Sequence, residues 1–146
     1  MHPIPRVAVV LPMLALFACN DSAAPSVLDL QESRARWAHL HLTTYVYDFG
    51  MTGFFNNMSG HVFHVTVRED TVRSAVDLAT GDSLPLLQAG VPTIDALFEQ
   101  AIAARNSGTL SDIQFDPIMR YPHVISLMGP PDASGSLAAS HLQPLP

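Results

Sequence analysis

The chain has 146 residues, with seven arginines, no lysine, 13 carboxylates and a formal net charge of −6. That length suits one domain with a substantial core, and arginines scattered among more numerous acids exclude a basic surface for nucleic acid. A single cysteine excludes an internal disulfide, so hydrophobic burial must hold the fold even in an oxidising compartment.

Met1 to Arg6 carries one cation and no acid, and Val7 to Ala18 is apolar apart from Pro12. This is the layout of a signal peptide. The apolar run is too short to cross roughly 30 Å of hydrocarbon as a helix. Cys19 follows it directly, and Leu16 and Ala18 at minus three and minus one resemble a bacterial lipoprotein signal, in which a peptidase cuts before a diacylglyceryl-modified cysteine. Phe17 is larger than that pattern prefers. The alternative is an ordinary signal-peptidase cut after Ala18, or after Ala24 with Ser22, where Pro25 is unfavourable. On the lipoprotein reading, residues 1–18 are the signal, 19–25 the lipidated cysteine and a small polar tether, and 26–146 the folded domain. Loss of Arg6 on cleavage moves the formal charge from −6 to −7, so the acyl chains on Cys19, rather than protein charge, would hold the domain at the membrane. Each buried methylene contributes about 0.8 kcal/mol to such an anchor. The expected location is the bacterial cell envelope, facing the periplasm or the exterior. Asn20 after the cysteine resembles the outer-membrane sorting pattern of Gram-negative bacteria.

Ser26 reads as a helix start with Asp29 at N3, and Val27, Leu30, Trp37 and Leu40 form a broken apolar stripe, which predicts a helix from Val27 to about His39. From Thr43 the period becomes two, with Tyr45, Tyr47 and Phe49 on one face and Thr44, Val46 and Asp48 on the other. Gly50 to Gly60 reads as a loop. A second strand, His61 to Arg68, sets Phe63, Val65 and Val67 against His64, Thr66 and Arg68. Its hairpin partner runs from about Val72 to Leu78, across a Glu69-Asp70-Thr71 turn in which Asp70 takes the left-handed conformation. After a loop from Ala79 to Val91, Pro92 and Thr93 introduce Ile94, Leu97, Phe98, Ala101 and Ile102 at helical spacing, with Arg105 in the last turn and Gly108 as the stop. Four large apolar side chains there are worth roughly 6 to 12 kcal/mol on full burial, so this helix belongs to the core. Short strands are expected at Ser111 to Phe115 and His123 to Met128, around an Asp116 to Pro122 turn, and a last edge strand at Ser136 to Leu142. The sum is an α+β fold: one small domain with an antiparallel sheet of four to six strands packed against one or two helices.

Trp37, Tyr45-Val46-Tyr47, the His64 to Arg68 hairpin strand, Pro92-Thr93-Ile94-Asp95-Ala96-Leu97-Phe98, Phe115-Asp116-Pro117 and Tyr121-Pro122 occur in that order. In this the chain resembles the DUF6174 family of bacterial lipoproteins, over roughly Gln31 to Leu142. The resemblance implies a small α+β lipoprotein domain and carries no assigned activity or site. Two departures stand out. Where many members have a Cys-Phe-Cys-like segment, Gly50 to Asn57 here holds Phe54-Phe55 and no cysteine, and the glycine usual before Tyr-Pro is Arg120.

Seven histidines are the most tempting chemistry. His39, His41 and His64 are the set from which a metal site would have to be assembled across elements, against the plainer reading of solvated or singly bonded imidazoles. Protonation of the histidines below about pH 6.5 would nearly cancel the negative charge, which is an acid-sensing alternative. Enzyme signatures do not occur: Ser59 lacks the glycine of a nucleophile elbow, and there is no His-Glu-x-x-His helix or glycine-rich phosphate loop. Asp116 reads as a turn cap rather than a base. No cofactor is implied. Tyr45, Tyr47 and Phe49 read as core, whereas Phe54, Phe55 and Met58 lie in the glycine- and asparagine-rich loop, where large apolar side chains mark a contact surface. The expectation is therefore a lipid-anchored, non-catalytic envelope domain that binds an unknown envelope protein or ligand through that loop. An envelope enzyme or a histidine-based metal-binding protein is the alternative.

Overall fold

The computed structural model describes residues 27–53, 58–85, 90–129 and 134–146. The signal segment, Cys19, its tether, the Ser26 cap, and Phe54 and Phe55 lie outside the described residues. The elements are α1 (Val27–His39), β1 (Tyr45–Thr52), β2 (Val62–Arg68), β3 (Thr71–Asp77), α2 (Ile94–Asn106), β4 (Leu110–Phe115), β5 (Pro122–Leu127) and β6 (Gly135–Pro144). All six strands form one antiparallel sheet in the order β3-β2-β1-β6-β5-β4. The α+β architecture expected from the sequence is the one observed. No helix among the described residues is long and apolar enough to cross a membrane.

Period-two alternation sorts the sheet into two faces. Tyr45, Tyr47 and Phe49 of β1, Phe63, Val65 and Val67 of β2, Ile125 of β5 and Ala139 of β6 are buried on the face that carries the helices. Of the described side chains of the first helix, Leu30, Ser33 and Trp37 are buried, spaced three and four residues apart. Trp37 meets Tyr45 and Tyr121 edge to face, with centroids 5.7 and 6.3 Å apart. The second helix buries Ile94, Leu97, Phe98 and Ala101, and Thr93 caps it by accepting from the Ala96 N–H at 3.2 Å. At its far end Gly108 adopts φ +73°, the left-handed conformation a helix stop requires.

The Tyr-x-Tyr and Pro-Thr-Ile-Asp segments are two halves of one joint. The Tyr45 hydroxyl accepts from the Ile94 N–H at 3.0 Å, and the Tyr47 hydroxyl donates to the Pro92 carbonyl. The Trp37 indole N–H donates to Asp95 at 3.2 Å. Two strand residues and one helix residue thereby satisfy the polar groups at the start of α2 inside the core.

Three expectations are corrected by the structure. β1 continues through Gly50 and Met51 to Thr52, since β6 supplies pairing partners along that whole length. It stops at Gly53, which has φ +79° and lies so near Ser134 that a Cβ would sit 2.2 Å from its carbonyl oxygen. β6 is not an edge strand but lies between β1 and β5, with Leu137, Ala139 and Leu142 turned into the core. Its Ser136, Ala138 and Ser140 face the uncovered side, which gives the strand its edge-like polarity in sequence. Met58, expected as an exposed loop contact, is 6 % exposed and belongs to the core. The bonds from His61 N–H to the Met58 carbonyl and from Gly60 N–H to the Met51 carbonyl fold it back against the end of the sheet. The tight β2–β3 turn expected from the sequence holds two residues, Glu69 and Asp70, both with positive φ, 50° and 56°, as a hairpin turn of the right twist demands.

Candidate functional site

The helices cover one face of the sheet, and among the described residues no element covers the other. On the open face the registers bring Asp48 of β1 opposite His64 of β2 on one side and Ser140 of β6 on the other. A bulge in β6 then adds His141, at φ 53°, a conformation uncommon for any residue but glycine and favoured at functional positions. The result is one carboxylate held between two imidazoles. His64 Nδ1 is 2.8 Å from Asp48 Oδ1, and His141 Nδ1 is 2.9 Å from Asp48 Oδ2. Asp48 is largely buried, at 15 % side-chain exposure, whereas His141 is 78 % exposed.

A second pair closes the same cleft. His61 Nδ1 lies 2.5 Å from Asp77 Oδ2, and Asp77 Oδ1 accepts from the backbone N–H groups of Ala79 and Thr80 at 2.7 and 3.4 Å. The Ala79 N–H, and after it His61 and Thr80, hold the Asp77 carboxyl below its usual range against the opposing effect of burial. Between the two pairs is a hollow of about 650 Å³, walled by Asp48, His61, His141 and Ser140 with the exposed aliphatic side chains Val62 and Leu78. That volume lies within the usual range of ligand sites.

The chemistry of the arrangement follows from which nitrogens are used. Each carboxylate accepts from an Nδ1–H, which fixes the tautomer and leaves Nε2 as the outward acceptor of a neutral imidazole. Ser140 Oγ is 3.4 Å from His141 Nδ1, the nitrogen already directed at Asp48. A serine–histidine–aspartate relay needs the serine on the opposite nitrogen, so these three residues do not form one. Gain of a proton by each of His64 and His141 would change the formal charge of this cluster from −1 to +1.

The histidines anticipated as metal ligands are not brought together. His39 ends α1 and His41 sits in the turn after it, at φ 50°, while His64 is on the opposite side of the sheet with Asp48. Among the described residues no group of three or more His, Cys, Asp or Glu side chains has the spacing to hold a metal ion. Asp116 caps its turn, as expected, accepting from the Ile118 and Met119 N–H groups at 2.9 and 2.6 Å. The strand alternation placed Asp48 and His64 on outward faces, but nothing in the sequence brought His141 to them. The bulge that turns His141 toward Asp48 leaves no local mark, and 93 residues separate the two.

No curated protein and no solved structure matches the chain. A family described as of unknown function, DUF6174, matches residues 29–134, from the first turn of α1 to the approach to β6. With most of the fold inside that match, the chain belongs to the DUF6174 family.

Proposed function

We propose that this is a lipid-anchored domain of the bacterial cell envelope, tethered through Cys19, whose role is to bind an envelope component rather than to catalyse a reaction. The observation that carries the binding role is the asymmetry of the sheet. One face is filled by two helices, and the other presents Asp48, His64, His141 and the adjoining hollow to solvent. Edge strands are poor alternatives for docking on the β3 side, because Ser83 bridges to Val76 and the Leu84 N–H donates to the Ala75 carbonyl, covering part of that edge.

Two measurements test the two halves of the proposal. Radiolabelled palmitate is expected to enter the wild-type chain and not Cys19→Ala; equal labelling of both would remove the anchor. For binding, a photo-crosslinking residue is placed in living cells either at Thr66 on the open face or at the exposed Glu32 on the outer side of α1. Capture of a discrete component from Thr66 and not from Glu32 is the expected result, and equal capture from both would reject the open face.

A further inference from the structure

The helix layer contains a second hollow, on the other side of the molecule. α1 and α2 run antiparallel, since Arg34 pairs with Glu99 while Trp37, one turn later, reaches back to Asp95. Between them lies a groove of about 490 Å³. Leu30, 2 % exposed, belongs to its floor, Ile102 is half-buried, and the exposed Ala35 and Ala38 are too small to fill the space. The charged side chains that line it are Arg34 and Arg105, with no carboxylate among the lining residues, in a chain where acids outnumber arginines 13 to seven.

Arg105 is the informative one. Arg34, Arg36 and Arg73 are paired with Glu99, Glu32 and Glu69, and Arg120 donates to Ser33. Arg105 is half-buried at the groove, and its guanidinium has no hydrogen-bond or ion-pair partner among the described residues. A cation without a protein partner beside an apolar trough is well matched by a carboxylate, which a guanidinium can hold with two parallel hydrogen bonds. The trough holds about 490 Å³, well under the roughly 1,000 Å³ that a 12 Å length of helix, 10–12 Å across with its side chains, occupies. From Leu30 to Ala38 it extends about 12 Å along α1, at 1.5 Å per residue, which suits a single alkyl chain.

We propose that the groove between α1 and α2 binds a free fatty acid, with the alkyl chain along Leu30, Ala35, Ala38 and Ile102 and the carboxylate on Arg105. Arg34 is a reserve cation, occupied by Glu99 while the groove is empty. The proposal is independent of the open-face reading above, since the two sites lie on opposite sides of the sheet.

The test uses the full chain carrying Cys19→Ala, so that no acyl group of its own competes, and cis-parinaric acid as a fluorescent fatty-acid probe. Saturable binding is expected, displaced by palmitate and not by the uncharged alcohol hexadecanol. Arg105→Gln is expected to weaken it at least about tenfold, the effect of losing a charged hydrogen-bond partner. Ala38→Phe, at an exposed position, fills the trough and is expected to weaken binding comparably while the near-ultraviolet signal of Trp37 shows the fold intact. Glu99→Gln frees Arg34 and is expected to tighten binding, by up to about fivefold, the most an exposed pair is worth. Absence of saturable binding, equal displacement by hexadecanol, or binding unaffected by both Arg105→Gln and Ala38→Phe would overturn the proposal.

Discussion

Tyr45 shows how much one polar atom in this core controls. Its ring is fully buried and its hydroxyl is the acceptor for the Ile94 N–H at the head of α2. Tyr45→Phe keeps the packing but strands that buried donor, so a loss of about 1–3 kcal/mol at neutral pH is expected from urea denaturation. Burial, with smaller contributions from Asp95 and Asp70, pushes the Tyr45 phenol from 10.0 up to about 12, against the lowering effect of the Ile94 bond. A raised acid contributes stability that is complete below its unfolded value and is lost as pH climbs through the folded one. The wild type should therefore lose stability between pH 10 and about 12, and Tyr45→Phe should lose less over that interval, with Tyr47, raised by burial too, accounting for what remains. Asp77 behaves in the opposite sense. Its carboxyl is held low chiefly by the Ala79 N–H, so its contribution is present above the ordinary value of 3.8 and is lost as pH falls through the folded one. Asp77→Asn should thus be less stable than wild type at pH 7, and the gap between their urea midpoints should narrow below pH 3.8.

At the scale of elements, the β4–β5 turn carries the departure from the family pattern. Arg120 stands where the resemblance leads one to expect glycine, and its φ of 64° is the conformation glycine adopts without cost. Arg120 compensates with its side chain: Nη2 donates to the fully buried Ser33 at 3.0 Å, and the guanidinium lies 5.3 Å from the centre of the Phe115 ring, although its buried Nε has no partner among the described residues. Arg120→Ala loses those contacts and keeps the backbone strain, whereas Arg120→Gly loses the contacts and relieves the strain. The glycine variant should be the more stable of the two by about 1 kcal/mol in thermal unfolding, the usual cost of a left-handed residue with a Cβ. Helices and hairpins such as this were legible in the sequence because their causes are local. Thr93, the Ile94 to Ala101 spacing and Gly108 sit within one helix length of each other, and every bond of Asp116 is to a residue no more than five positions on. The position of β6, the burial of Met58 and the pairing of Asp48 with His141 all depend on partners far along the chain. The candidate site was half visible for the same reason: alternation placed Asp48 and His64 on outward faces, but only the register across β6 brings His141 to them.

Across the whole molecule, the sheet is two three-stranded meanders, β1-β2-β3 and β4-β5-β6, joined where β1 meets β6. The joint is also where the open-face cluster sits, since Asp48 belongs to one meander and His141 to the other. The family match ends at residue 134, one position before β6, yet β6 pairs on both sides and contributes Leu137, Ala139 and Leu142 to the core. Removal of residues 135–146 would therefore leave β1 and β5 each with a row of unpaired N–H and C=O groups in the middle of the sheet, and a gap beside the core that no neighbouring element fills. Neither meander can supply what is lost, because β1 and β5 present these edges to each other only across the width of the missing strand. The truncated chain is expected to show no cooperative transition in a urea titration followed by Trp37 fluorescence and far-ultraviolet circular dichroism, while removal of Leu145 and Pro146 alone shifts stability by no more than about 1 kcal/mol. A cooperative transition in the chain ending at residue 134 would instead mean that the two meanders close directly on one another, and in that case the open-face cluster would be lost while the fold survived.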